Sequence, residues 1–322
     1  MMLESAPLLK QEDEVVDPQL ELMNRRYRDR LTALTLIRQL NTLISTVQRH
    51  RGVTMALLSG GGEVSSDRAL PGEVLSEDLQ QLQQQVQKRL QFLMQTCIGS
   101  DYLLPRVERE RILHAWQTIC HDWQDDALLD NFELHSHFIE QLLQLMASQA
   151  RSIRPPLVEE QLGEEVGAGV LSPEAEEQLK LQGFICKKIP EIVEQFAKIR
   201  GLATHCAVLG ECDKHEIQKL RFWLQCARDL NASMLDTIEA LPSAIKRELS
   251  SLADLKSYEF KLMFFLNSIE RDVLGGDKVV ARASDLFELG SEIIDAYVVG
   301  VRDGIAFLQR GLDEELERWL EG

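Results

Sequence analysis

Apolar residues recur every third or fourth position along most of the chain. In "EDLQQLQQQVQKRLQFLMQTC" (77–97) they fall at Leu79, Leu82, Val86, Leu90, Leu93 and Cys97, with Gln, Glu and Lys filling the other face. A stripe of that period is one side of an amphipathic helix. The same spacing predicts helices over 18–58, 75–97, 106–123, 132–151, 174–209, 214–239, 244–273 and 282–318. Asp213 and Glu216 form a capping-box pattern that opens one of them. Alternating apolar runs, the mark of strands, are absent. The pattern therefore predicts an all-α fold.

Two stretches break the pattern. "RSIRPPLVEEQLGEEVGAGVLSPEAEE" (151–177) holds a Pro pair, three glycines and a Ser-Pro helix start. It reads as a linker. "SGGGEVSSDRALPG" (59–72) reads as a loop. These breaks leave an N-terminal tail and helix start at 1–24, four helices within 25–151, a linker at 152–173 and four helices within 174–318. The halves echo each other. Arg51-Gly52 and Arg200-Gly201 lie 149 residues apart, and the Phe-Glu-Leu triplets of "DNFELHSHFIEQLL" and "SDLFELGSEIIDAY" lie 155 apart. The same order and nearly the same spacing predict two similar four-helix bundles with long up-and-down helices.

The Arg-Gly pairs interrupt their own stripes. Leu40, Leu43, Ile44 and Val47 lead to a buried position at 51, and Ile189, Ile192, Val193 and Phe196 lead to one at 200. Both positions are arginine. A guanidinium keeps its proton, so burial without a partner costs several kcal/mol. Each adjacent glycine costs a helix about 1 kcal/mol and suits close approach by another group. Thr54 and Thr204 lie one turn on, on the same face. Two arrangements satisfy this pattern. Each arginine can pair with a buried Asp or Glu, or the two can converge on one planar anion between the halves.

"RHRGVTMALLSG", "DNFELHSHFIEQLL" and "IRGLATHCAVLGECD" resemble the nitrate- and nitrite-sensing domain family, over roughly residues 25–315. The resemblance implies a non-enzymatic sensor in which two four-helix bundles hold the oxyanion with arginines from several helices. Arg51 and Arg200 match the family's Arg-Gly positions, and Arg271 is the nearest match to a later arginine. Where the family shows a second arginine before the first Arg-Gly, this chain has His50, with Arg49 one step earlier. Family members are often fused to an output module, such as an RNA-binding antiterminator domain. Nothing after Gly311 is long enough for one, so a separate output partner is expected.

Composition narrows the alternatives. The net charge of −17 argues against nucleic acid as a direct partner and against an anionic membrane surface. No signal peptide or spanning apolar run is present, and six dispersed cysteines suit reduced thiols, so a cytoplasmic protein is expected. A homodimer is compatible with the sequence. His205, Cys206, Cys212 and His215 are metal-capable, but a helix end at Gly210 would point the histidines apart, so no metal or cofactor is assigned. Trp116, Ile119 and Trp123 read as core. Nucleotide-binding and hydrolase motifs are absent, so no catalytic residue is assigned. The alternative to an anion sensor is a helical scaffold that binds other proteins and no small ligand.

Overall fold

A computed structural model of the chain describes residues 18–60, 72–98, 101–153, 173–276 and 278–321. These residues form an all-α fold, with no strand among them. The expected tail up to residue 17, most of the expected loop (61–71) and most of the expected linker (154–172) lie outside the described residues.

Helix α1 runs Pro18–Leu58, α2 Gly72–Thr96, α3 Arg106–Cys120 and α4 Leu128–Ser152. In the second half α5 runs Pro173–Gly183, α6 Ile189–Leu209, α7 Lys214–Ala240, α8 Ser243–Glu248, α9 Ser250–Asp272 and α10 Ala283–Glu321. Helix α1 packs along α2 and α4, and α3 rests on α4. Helix α6 packs along α10 and α7, and α9 rests on α10. The halves meet where α1 crosses α6 and α10. Buried Leu34, Ile37, Leu40, Leu43 and Val47 of α1 join a core that continues through Ile192, Phe196 and Ile199 of α6. Each such side chain contributes about 1.5–3 kcal/mol on leaving water.

Local chemistry explains where helices differ from their expected spans. Pro190 has no N–H to offer the preceding turn, and its ring would crowd the carbonyl four residues back. The chain accommodates it with a π turn over Phe184–Lys188, between α5 and α6. Helix α3 ends at Cys120, because Asp122 takes a left-handed conformation (φ 46°). Trp123 therefore leaves the core stripe for a short 3-10 turn and is only half-buried, while Trp116 and Ile119 stay in the core. The segment expected over 244–273 is interrupted at Leu249. The capping box at α7 forms as expected: Asp213 accepts from the Glu216 N–H, and Glu216 accepts from the Asp213 N–H, each at 2.8 Å.

Candidate functional site

The two arginines occupy equivalent places in the halves. Arg51 Nη1 donates to Ser136 Oγ at 2.9 Å, and its Cζ lies 4.8 Å from the Phe132 ring centre. Arg200 Nη1 donates to Ser291 Oγ at 2.8 Å, and its Cζ lies 4.9 Å from the Phe287 ring centre. Ser136 and Ser291, like Phe132 and Phe287, are 155 residues apart. Phe and Ser four apart share one helix face, so each half uses that face of α4 or α10 to hold a guanidinium.

Their charges are handled differently. Arg51 reaches into the second half and forms a bidentate pair with buried Glu194 of α6, Nη1 to Oε1 at 2.6 Å and Nη2 to Oε2 at 3.1 Å. Gln48 donates to the same Oε2 at 2.8 Å. Of the two arrangements open to Arg51, the ion pair is the one adopted. Arg200, 7% exposed, has no ion pair among the described residues, and its Nε has no hydrogen-bond partner. Burial, with Arg51 nearby, lowers its pKa to about 10, against the opposing pull of Asp295 and Glu194. It stays charged at neutral pH. Counting 149 residues back from Glu194 gives Ser45, whose hydroxyl donates to the Asn41 carbonyl. The carboxylate that balances Arg51 thus has no counterpart in sequence for Arg200.

Arg200 lies on the wall of a cavity of about 730 Å3 between α1, α2, α6 and α10. Arg49, Gly52, Thr204, His205 and Ser291 share that wall. The Thr204 hydroxyl is buried without a partner. Asp78, Glu288 and Asp295 also line it. The glycines let these groups come close. A Cβ on Gly52 would lie 3.7 Å from Arg200 Nη2, an ordinary contact, but one on Gly290 would lie 2.8 Å from Arg200 Cγ. Gly290 is therefore what lets the Arg200 stem pass over α10.

The other sequence candidates are not on this wall. His50 is fully buried and meets His135, Nδ1 to Nε2, at 2.7 Å, and His135 Nδ1 donates to the Asn131 carbonyl at 2.8 Å. Burial holds the His50 pKa down at about 4, and burial with His50 and Arg51 nearby holds His135 well below its usual value. Thr54 donates to the His50 carbonyl at 2.9 Å. Arg271 is 69% exposed on its side chain and clasped by adjacent Asp272, away from the cavity. The structure thus brings Arg49, Arg200 and Thr204 together and leaves Arg51, His50, Thr54 and Arg271 elsewhere. Ser136, Ser291 and Glu194 were not singled out by sequence. The repeated "FELHS" and "FELGS" carried the signal for the serines.

Among the described residues no helix is long and apolar enough to cross a membrane. No family model and no curated protein matches the chain. The fold is similar to a solved structure of the NasR transcription antiterminator, with a TM-score of 0.67 and 14% identity, over 93% of this chain and 73% of that one. This likeness overturns the exclusion of nucleic acid as a direct partner. A fold of this kind occurs in a transcription antiterminator, and net charge, a sum over the whole surface, leaves the sign of any one face open.

Proposed function

We propose that the chain is a non-enzymatic regulatory protein of the cytoplasm that senses a small oxyanion, nitrate or nitrite, in the cavity between its halves. The carrying observation is Arg200: a buried, charged guanidinium on a cavity wall, without an ion-pair partner among the described residues. A planar anion matches its fork, and the unpartnered Thr204 hydroxyl and exposed Arg49 supply further donors on the same wall. Asp78, Glu288 and Asp295 outnumber Arg49 and Arg200 among the lining residues, which disfavours a dianion more strongly than a monoanion. The cavity far exceeds such an ion, since a water takes only about 30 Å3, so the anion occupies the Arg200 corner alone. The resemblance of the Arg-Gly motifs to the nitrate- and nitrite-sensing family and the fold shared with NasR support the reading. Arg51, held by Glu194, ties the halves together beside the site. Closure of the halves on the anion passes the signal to a separate partner.

Titration calorimetry with nitrate tests this. Binding is expected in the wild type and lost in Arg200→Ala. Arg200→Lys should also bind more weakly, because lysine keeps the charge but loses the fork. A rise in Tm with nitrate, and not with chloride at equal ionic strength, should accompany binding. Equal binding by wild type and Arg200→Ala, or no binding at millimolar nitrate, refutes the proposal.

A scaffold is the second reading, favoured by one observation. Phe260 and Phe264, one turn apart on α9, are 86% and 61% exposed, and Phe222 of α7 is 66% exposed. It leads if nitrate fails to bind.

A further inference from the structure

We propose that Cys206, Cys212, His205 and Glu216 form a site for one divalent transition-metal ion of the zinc type, at the junction of α6, α7 and the end of α1. The donors are already gathered. The two Sγ atoms are 2.8 Å apart, Cys206 Sγ lies 3.8 Å from Glu216 Oε2, and ligand atoms of Cys206, Cys212 and Glu216 all fall within 4.8 Å of one another. His205 Nε2 lies 3.2 Å from Glu216 Oε1. His205, Cys206 and Glu216 are buried, while half-buried Cys212, in the loop after Gly210, leaves a way in. Two thiols, an imidazole and a carboxylate are a donor set zinc takes readily.

The contacts around His205 orient it towards the cluster. The Ser59 hydroxyl lies 2.6 Å from the Met55 carbonyl and 2.7 Å from His205 Nδ1. With Nδ1–H donating to Ser59, the Nε2 lone pair faces Glu216 Oε1, 3.2 Å away, and an ion between them would take both. A ligating histidine commonly donates its other N–H to a neighbouring group, and Ser59 Oγ is placed to accept it. Glu216 is oriented in the same way, its Oε2 held by the Asp213 N–H. His215, the metal-capable neighbour in sequence, is exposed and outside the cluster.

Seating the ion requires small movements, since His205 lies outside the three residues whose ligand atoms all fall within 4.8 Å of one another and must turn towards the thiols. With sulfur at about 2.3 Å in a tetrahedron, two thiolates stand about 3.8 Å apart. Cys212 therefore moves outward by about 1 Å on its loop. Both thiols lose their protons on binding, so affinity falls as pH falls. The filled site would fasten Ser59, just past the end of α1, to α6 and α7. His205 and Ser59 also line the cavity, so the ion would stiffen that wall.

The test uses the full chain, reduced, with its thiols counted, and cobalt(II) as the spectroscopic probe. Expected are one equivalent of cobalt bound, a thiolate-to-cobalt charge-transfer band, the strong visible bands of a tetrahedral ion, and displacement by zinc. About two protons should be released per ion. Cys212→Ser, a change in the loop that spares the core, should abolish the charge-transfer band or reduce it by half with at least a tenfold loss of affinity. Ser59→Ala should weaken zinc binding roughly tenfold. Cys226→Ser should leave the spectrum unchanged. Absence of cobalt bands with free thiols, or bands that survive the double variant of Cys206→Ser with Cys212→Ser, overturns the proposal. So does mild peroxide removing two hydrogens from a protein that binds no metal, which would make the pair a disulfide.

Discussion

Arg51 and Glu194 join the two halves of the chain through a bidentate contact, Nη1 to Oε1 at 2.6 Å and Nη2 to Oε2 at 3.1 Å. The pair is buried on both sides, at 2% and 4% side-chain exposure. It explains why an arginine can stand on an apolar stripe of α1. It also sets Arg200 apart, since the equivalent Phe-and-Ser cradle on α10 comes without an equivalent carboxylate.

Removing one member of this pair should cost far more than removing a surface charge. Glu194→Ala leaves a guanidinium buried with Ser136 and the Phe132 face as its remaining contacts. Loss of about 3–5 kcal/mol of unfolding free energy is expected. Replacing both residues by apolar ones of similar volume should cost much less. Denaturant titration of the single and double variants measures both. Equal losses in the two would show that the charges contribute no more than their packing.

Gly290 and Gly52 should respond in opposite ways to alanine. At Gly290 the new Cβ would press on Arg200 Cγ at 2.8 Å and on Phe265 Cζ at 3.1 Å. About 1–3 kcal/mol of destabilisation is expected, with Arg200 displaced and nitrate binding weakened. At Gly52 the nearest atom is at 3.7 Å, so alanine should be neutral or stabilising by up to about 1 kcal/mol through helix propensity. Thermal unfolding and nitrate titration of both variants decide, and equal behaviour would contradict the packing at Gly290.

Acid should weaken the protein through the buried histidine pair. The folded His50 has a pKa near 4, whereas the unfolded value is about 6.5. Above pH 6.5 both states are neutral, and the full stability is present. As pH falls from 6.5 towards 4, the unfolded chain takes up a proton that the folded chain refuses, so stability declines. For His50 alone the loss approaches about 3 kcal/mol, and His135 is shifted in the same direction. Tm measured from pH 7.5 to 5 should fall more steeply in the wild type than in the double variant of His50→Leu with His135→Leu. Parallel curves would place the titration elsewhere.

Much of the fold was legible because it rests on period alone. The stripe that reaches Leu93 and Cys97 needs only a helix and a neighbour to bury it. The capping box at Asp213 and Glu216 is equally local. The burial of Arg51 and Arg200 also followed from their stripes. Their partners did not, because Glu194 meets Arg51 across 143 residues and through the packing of two helices. Nothing local in "IPEIVEQFAKIRG" shows which acidic residue turns inward. Of the residues in the proposed metal cluster, His205, Cys206 and Cys212 are metal-capable in sequence, where no metal is assigned; the exchange of His215 for Glu216 depends on how α7 is rotated after its cap.

The difference between the arginines can be tested by restoring what is missing. The spacing of 149 residues that relates Arg51 to Arg200 relates Ser45 to Glu194. Gly52 of α1 lies against the Arg200 guanidinium, so α1 faces Arg200 as α6 faces Arg51. If the halves are related as their cradles indicate, Ser45→Glu brings a carboxylate towards Arg200 from the side on which Glu194 reaches Arg51. Nitrate affinity should then fall at least tenfold, because the fork is occupied by an internal anion. Thermal stability without nitrate should hold or rise, because a buried charge gains a partner. Ser45→Gln, of similar size but uncharged, should leave nitrate affinity much closer to the wild type. Titration calorimetry on the three proteins reads the first effect, and thermal unfolding reads the second. Equal losses from Glu and Gln would mean that bulk at position 45 acts on α1 packing, and that the open charge on Arg200 is not what holds the anion.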